Sequence, residues 1–353
     1  MPTKRERPDR RVQDHPGQEP AAADGVPATM KAAVRDDYGS ADALRVRDVD
    51  RPVAAPGEVL VRVHAAGLDR GAWHIMTGRP YLIRIAGFGL RRPKNPGLGA
   101  ELAGVIEAVG PDVTGLACGD TVFGTGTSSF AEYATARPRT LAQMPANLTA
   151  EQAAAVPVSG VTALQALRDQ GRVQPGQHVL IIGASGGVGT FAVQIAKALG
   201  AQVTAVCSTS KTDLVRSLGA DHVIDYTVGD LTDTARRYDL VLDLGGNRSL
   251  TTLRRLLTPK GTLVFVGGEG HGRLTGGLDR QLRAMALTPF VGQRLGGPWI
   301  AIVRRADLEA LRVMIEAGSV TPVIDRVCAL GEIPDAVRDL EGGRVRGKVV
   351  VTI

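Results

Sequence analysis

The sequence predicts an α/β protein in which a doubly wound parallel sheet is joined to a smaller, β-rich domain. Three observations carry this. From about Glu151 to Val266, apolar strand-like runs alternate with helical patterns. From Met30 to about Leu148, short alternating runs are broken by turns such as Pro56-Gly57 and Cys118-Gly119-Asp120. Within the first of these regions, residues 179–197 read VLIIGASGGVGTFAVQIAK, a buried strand, a glycine turn and a helix in the order of a βαβ unit. A chain of 353 residues holds two cores of this kind. Its 44% apolar and 22% charged content is that of a globular protein.

Taken in order, residues 1–29 are rich in Pro, Ala and charge without periodicity and are expected to form a disordered tail. Their five basic and five acidic residues cancel, and they contain no apolar signal-peptide core, which points to a cytoplasmic protein. MKAAV, from Met30, reads as a first strand. VLVRVHAAG alternates, with Val59, Val61 and Val63 on one face and Leu60, Arg62 and His64 on the other. LAGVIEAVG, TVFGTG and residues 130–133 are further strands. EQAAAVPVSGVTALQAL opens the helical part. Strands HVLII, QVTAVC, HVID, DLVLDL and GTLVFVG then alternate with helices beginning at Gly187, Lys211 and Ser249. RADLEALRVMIEAGSV is an amphipathic helix, and GKVVVTI a last strand expected to return to the β-rich domain. The expected division is a tail at 1–29, the β-rich domain at 30–152, the parallel-sheet domain at 153–299 and a returning segment at 300–353.

The glycine turn carries the chemistry. A helix that starts there aims its free N–H groups and positive dipole end at one point, and glycines let a pyrophosphate approach the backbone. Gly183, Ser185, Gly186, Gly187, Val188 and Gly189 are the expected contacts. Further contacts belong at the carboxyl ends of later strands, Gly245 and Asn247 after one and Gly267 after the next. The formal charge is +6, with Arg91, Arg92, Lys94, Arg304, Arg305, Arg344, Arg346 and Lys348 in the excess. No nucleic-acid motif accompanies it and aromatics are only 4%, so the balance suits a phosphate-bearing cofactor and solubility, not nucleic acid. Three scattered cysteines exclude a disulfide framework and a four-cysteine zinc lobe. No run approaches the about 20 apolar residues of a membrane span.

From Met30 onward the chain resembles the medium-chain dehydrogenase/reductases. GASGGVGTFAVQIAKALGA and STSKTDLVRSLGADHVIDY resemble the zinc-independent branch that includes quinone oxidoreductases, and MTGRP, GFGLRRPKNP, PFVGQRL and TPVID resemble bacterial NAD(P)-dependent alcohol dehydrogenases. The resemblance implies a GroES-like catalytic domain, a Rossmann domain and a cleft between them. It adds Tyr226 beside the cofactor phosphate, residues 290–293 (with Gly292 and Gln293) near the nicotinamide, and Arg344, Val345 and Arg346 before the last strand. It also implies a homodimer joined through the edge of the Rossmann sheet, for which residues 262–265 are the expected edge.

Where zinc-dependent members carry a ligand His, this chain has Ala100; where they carry a ligand Cys it has Asp69; and the third region offers Ser159. Asp69 and Glu101 supply oxygens but no imidazole or thiolate joins them, so no metal is expected. At the end of the second Rossmann strand, where NAD enzymes place a carboxylate, stand Ser208 and Lys211. A cation and a hydroxyl there favour NADPH over NADH. Asp69, Trp73, His74 and Tyr81 are the candidates to line the catalytic cleft, with Gln293 and Trp299, and none stands out as a general acid. The leading expectation is NADPH-dependent reduction of a quinone or an α,β-unsaturated carbonyl. Reversible alcohol–ketone oxidoreduction and a low-turnover NADPH-binding sensor remain alternatives. The basic, apolar stretch RIAGFGLRRPKNP reads either as a substrate-rim loop or as a contact for a partner or a membrane surface.

Overall fold

The computed structural model describes residues 27–232, 235–267 and 276–353. Most of the expected tail, 1–26, lies outside the described residues, as do Gly268 and Glu269. Its last residue, Thr29, already belongs to a strand.

The chain begins with an antiparallel pair, β1 (Thr29–Val34) and β2 (Arg45–Asp50). β3 (Val59–Leu68), α1 (Arg70–Thr77), β4 (Glu101–Val109), β5 (Thr121–Thr127) and β6 (Tyr133–Gln143) follow. Two short helices, α2 (Ala150–Ala154) and α3 (Pro157–Gln165), lead to β7 (His178–Ile182). Then come α4 (Gly187–Ala198), β8 (Gln202–Cys207), α5 (Thr212–Ser217), β9 (His222–Asp225) and β10 (Tyr238–Asp243). After α6 (Leu250–Leu256), β11 (Leu257–Phe265), α7 (Leu278–Leu287), β12 (Arg294–Leu295) and α8 (Arg305–Glu316), the chain ends with β13 (Ile324–Ala329), α9 (Ile333–Glu341) and β14 (Lys348–Thr352).

Two six-stranded sheets result. One is parallel, in the order β12-β11-β10-β7-β8-β9, with the order reversing at β7 as in a doubly wound fold. Its central strand is buried along Val179–Ile182, and α4 packs Phe191, Ala192 and Ile195 against it. The other runs β13-β14-β3-β4-β5-β6, and β3 also pairs with β6, so this sheet curls back on itself. Its core holds Val59, Val61, Leu68, Leu102, Ile106, Phe130 and Val349. The last strand joins this sheet by antiparallel pairing of Val349 with Leu68 and Val350 with Gly67.

Three details depart from the sequence reading. Residues 130–132 make only an isolated bridge, Ala131 to Ala32, and the strand itself runs from Tyr133 through Pro138 to Gln143. α1, α9 and β13 were not among the expected elements, although α9 carries Ile333, Ala336, Val337 and Leu340 at helical spacing. Of the expected edge 262–265, Thr262 and Leu263 pair with Arg294 and Leu295, so the two-residue β12 covers that part of β11.

Candidate active site

The cofactor turn is built from backbone. β7 ends at Ile182 and is followed by Gly183, whose φ of +86° is a left-handed conformation open to glycine. The N–H groups of Gly183 and Ala184 both donate to the Val206 carbonyl at 3.1 Å, which tucks the turn over β8. Gly189, in the first turn of α4, has no room for a side chain: a Cβ there would sit 2.2 Å from the Gly183 carbonyl oxygen. Gly186 is the opposite case. It caps α4, and a Cβ on it would meet nothing nearer than 3.6 Å, so its outer side is open. Ser185, Gly187 and Val188 complete the turn, and the free N–H groups of the helix start at this opening. At the neighbouring strand ends, Gly267 is forced by the Leu244 carbonyl, 2.0 Å from its would-be Cβ; Gly245 stands beside Gly183, and Asn247 is exposed beyond it. Free backbone N–H groups at the start of α4, beside the open side of Gly186, fit a dinucleotide pyrophosphate.

The end of β8 carries positive charge. Lys211 Nζ donates to the Val345 carbonyl at 2.9 Å and the Gly343 carbonyl at 3.2 Å. Burial and the neighbouring Arg346 cation lower its pKa. Ser208 and the half-exposed Tyr226, which follow β8 and β9, flank it in the chain. Arg344 is turned aside into an ion pair with Asp339 at 2.8 Å. Segment 343–346 is thus tied to the dinucleotide side, and the Gly347 N–H donates to the Ser185 carbonyl at 2.9 Å.

Gly292 and Gln293 lie elsewhere. Gln293 Nε2 donates to the Arg254 carbonyl and its Oε1 accepts from Arg254 Nε, at 3.0 and 3.1 Å. A Cβ on Gly292 would meet the Pro259 carbonyl. Both residues precede β12, which runs parallel to β11, so they belong to the amino end of the sheet while dinucleotides bind at the carboxyl end. Trp299, which follows β12, is at the carboxyl end and donates from Nε1 to the Phe265 carbonyl at 2.7 Å.

A cavity of about 400 Å³ opens in the β-rich domain. Its walls come from Arg35, from Asp69, Ala72 and Ile75, from the segment containing Gly87, Phe88, Lys94 and Ala100, from Gly126–Ser128 and from Val158. Asp69 caps α1 by accepting from the Ala72 N–H at 2.8 Å. Trp73, His74 and Tyr81 are not among the lining residues, contrary to the sequence reading. Helical periodicity is the reason: Asp69, Ala72 and Ile75 share one face of α1, whereas Trp73 and His74 fall on another and stack edge to face at 5.0 Å. His74 Nδ1 lies 2.7 Å from the Arg79 carbonyl, and the Tyr81 ring packs under the Arg84 guanidinium. Arg35, which the sequence does not advertise, is buried and donates to the Ile75 and Gly97 carbonyls at 3.0 and 3.2 Å, joining two walls.

Cavity and cofactor turn meet at a buried ion pair. Lys348 Nζ contacts Glu101 Oε2, with the lysine 1% and the glutamate 0% exposed. Glu101 Oε1 accepts from the Val158 N–H at 2.8 Å, at the start of α3. The adjoining Ser159 hydroxyl and the Lys348 stem both pack against Gly187. Burial pushes the Glu101 carboxyl up to about 7, the Lys348 ammonium pulling down and the Asp69 charge pushing up. Lys348 is therefore no part of the surface charge to which its sequence position assigned it. The one sequence signal for its role was a lysine leading straight into the apolar run VVV.

This donor set does not match a catalytic zinc site. Ala100 supplies no donor, Asp69 is committed to a helix cap, and Glu101 is held by an ammonium. Among the described residues no group of three or more His, Cys, Asp or Glu is disposed to hold a metal.

Comparison with known proteins agrees with this architecture. Residues 55–146 match the alcohol dehydrogenase GroES-like domain and residues 218–351 the zinc-binding dehydrogenase family. The chain is 32% identical over 362 residues to the NAD(P)H oxidoreductase RTN4IP1, mitochondrial, of Mus musculus, covering 92% of this chain and 89% of that protein. It is 31% identical over 341 residues to 2-methylene-furan-3-one reductase of Solanum lycopersicum, covering 92% and 80%. The solved quinone oxidoreductase from Coxiella burnetii superposes with a TM-score of 0.81 at 29% identity, covering 92% of this chain and 99% of that one.

Proposed function

The chain belongs to the medium-chain dehydrogenase/reductase superfamily and is an oxidoreductase, and from that premise we propose that it passes hydride from NADPH to a quinone or an α,β-unsaturated carbonyl without zinc. The observation that carries the reading is the seam between cavity and cofactor turn. Where zinc-dependent members of the superfamily have ligands, this chain has Ala100, Asp69 and Ser159, and the adjoining Glu101 is held by Lys348. Without a Lewis acid on the carbonyl oxygen, a conjugated acceptor is the easier substrate, because hydride adds to carbon and charge spreads into an enolate or hydroquinone.

When bound, the nicotinamide supplies the hydride. The turn Gly183–Gly189 and the carboxyl-end glycines Gly245 and Gly267 hold the dinucleotide backbone. Ser208, Lys211, Tyr226 and Arg346 receive the 2′-phosphate, and a single charge-assisted hydrogen bond there is worth about 1.5–3 kcal/mol. Phe88, Ile75 and Val158 give the cavity apolar wall for a flat acceptor. Its oxygen finds the Thr127 and Ser128 hydroxyls, and Asn95, which donates to Ser128 Oγ at 2.9 Å, leaves the Ser128 proton available. Asp69 holds α1, and so this wall, in place.

We further propose that the protein is a cytoplasmic homodimer. Its three cysteines are free, as suits a reducing compartment, and exposed Phe290 and Ile300 flank the two-residue edge strand β12. The deciding experiment is NADPH and NADH oxidation against 1,4-benzoquinone, an aliphatic enone and a simple ketone, with zinc measured on the same sample. Turnover of quinone or enone by zinc-free protein is the expected result. Turnover of the ketone alone, or zinc near one per chain, overturns the reading.

A further inference from the structure

Residues 78–100 carry five cations, Arg79, Arg84, Arg91, Arg92 and Lys94, and no carboxylate. The same segment turns apolar side chains outward: Ile85 is 74% exposed, Leu90 68%, and Leu82 and Phe88 43% each. It is also the rim of the cavity, since Gly87, Phe88, Lys94 and Asn95 line it.

The rim is held from inside. The Arg84 guanidinium stacks on the Tyr38 ring at 4.4 Å and donates from Nε to the Gly78 carbonyl at 3.0 Å. The Tyr38 hydroxyl donates to the Gly89 carbonyl at 2.7 Å, and the Lys94 N–H to the Phe88 carbonyl at 2.9 Å. Arg92 pairs with Asp37 at 3.1 Å. These ties spend the inward-facing polar groups and leave Ile85 and Leu90 projecting beside Arg91 and Lys94, which make no ion pair among the described residues. A firmly anchored apolar patch rimmed by unspent cations marks a docking surface. Its charge complements an anionic surface, and its apolar tips suit the headgroup–acyl boundary of a bilayer. A protein seated on this rim would seal the cavity that opens through it; a lipid surface would instead supply it.

We propose that the rim, residues 82–94, docks the enzyme on anionic bilayers with the cavity mouth toward the lipid, so that a membrane-dissolved quinone enters directly. Docking is independent of the chemistry; delivery of the acceptor rests on the hydride-transfer reading above. No helix among the described residues is long and apolar enough to cross a membrane, so the contact is peripheral.

The test is flotation of the full-length protein with vesicles of phosphatidylcholine alone and with added phosphatidylglycerol, at low and at physiological salt. The protein is expected to bind the anionic vesicles, to release as salt rises, and to bind neutral vesicles far more weakly. The double substitution Ile85→Ser, Leu90→Ser should weaken binding about tenfold or more, and Arg91→Gln about fivefold. Neither touches the cavity lining, so thermal stability and turnover of dissolved 1,4-benzoquinone should be unchanged. With a long-chain ubiquinone embedded in anionic vesicles, the double variant should lose rate in proportion to its lost binding. No binding to anionic vesicles at low salt, equal binding to neutral ones, or a double variant that binds like the parent would each overturn the proposal. Vesicle binding with no turnover of either quinone would overturn the delivery step and the hydride-transfer reading while leaving docking in place.

Discussion

The glycine turn and the cavity of the β-rich domain share the Glu101–Lys348 seam, yet they are made of different materials. The turn is one continuous stretch, residues 183–189, and works through backbone N–H groups and the carbon atoms its glycines lack. The cavity collects its walls from five separated segments and works through side chains. A backbone site admits almost no change, because its neighbours are carbonyls that cannot rotate away. A side-chain site can exchange an imidazole for Ala100 while the strand beneath it persists. The family resemblance therefore speaks strongly for the cofactor and weakly for the acceptor.

The contrast can be broken most forcefully at the seam. Glu101→Ala leaves the Lys348 ammonium buried without a partner, which costs about 3–5 kcal/mol. A large fall in melting temperature at pH 8 is expected, with a smaller one for Glu101→Gln, which keeps a hydrogen-bond acceptor. Next in size is Gly189→Ala. Overpacking costs about 1–3 kcal/mol where side chains can yield, and here the obstacle is the Gly183 carbonyl. NADPH affinity should collapse, as read by quenching of its fluorescence titration. A turn that tolerated this carbon would not be a rigid backbone cradle. Lys211→Ala should reduce the preference for NADPH over NADH by about ten- to hundredfold, read as the ratio of kcat/KM values. Asp69→Ala should have the least effect on stability, about 1 kcal/mol for a lost helix cap, with Asp69→Asn nearly neutral. If Asp69→Asn instead abolished turnover while folding normally, the cavity would hold a catalytic carboxylate and not merely a structural one.

The seam also predicts a pH dependence. Glu101 has its carboxyl pKa raised from 4.5 to about 7 by burial. A raised carboxyl favours the protonated form in the folded state, so its contribution to stability is complete below about 4.5 and is lost as pH rises to about 7. Melting temperature should therefore fall across that window and level off above it. Glu101→Gln, which cannot ionise, should lack that decline.

Much of the fold was legible because its signals are local. The run 179–182, the glycines and the helix face of Phe191, Ala192 and Ile195 are consecutive, and a buried parallel strand followed by a turn and a helix has few other readings. The charge at the end of β8 was legible for the same reason. The cavity was not. Trp73 and His74 are reactive side chains in the right stretch, but which face of α1 meets the cavity depends on how the helix packs into the core, and Tyr81 lies beyond the helix under Arg84. Gln293, which the family resemblance places near the nicotinamide, precedes β12 and so stands at the amino end of the sheet, and only the parallel pairing of β12 with β11 shows that.

The amino-acid sequence alone determined that two kinds of domain exist, which of them carries the glycine turn at a helix start, and that the end of β8 is cationic, since each is a property of neighbouring residues and their backbone preferences. Only the tertiary structure decided that Lys348 neutralises Glu101 from 247 positions away, that Arg35 ties α1 to the rim, and that Ile85 and Leu90 project from the mouth of the cavity. Those contacts follow from β14 pairing with β3 and from the packing of loops that share no local code, and the free energy that selects them is that of burying two sheets and their helices together.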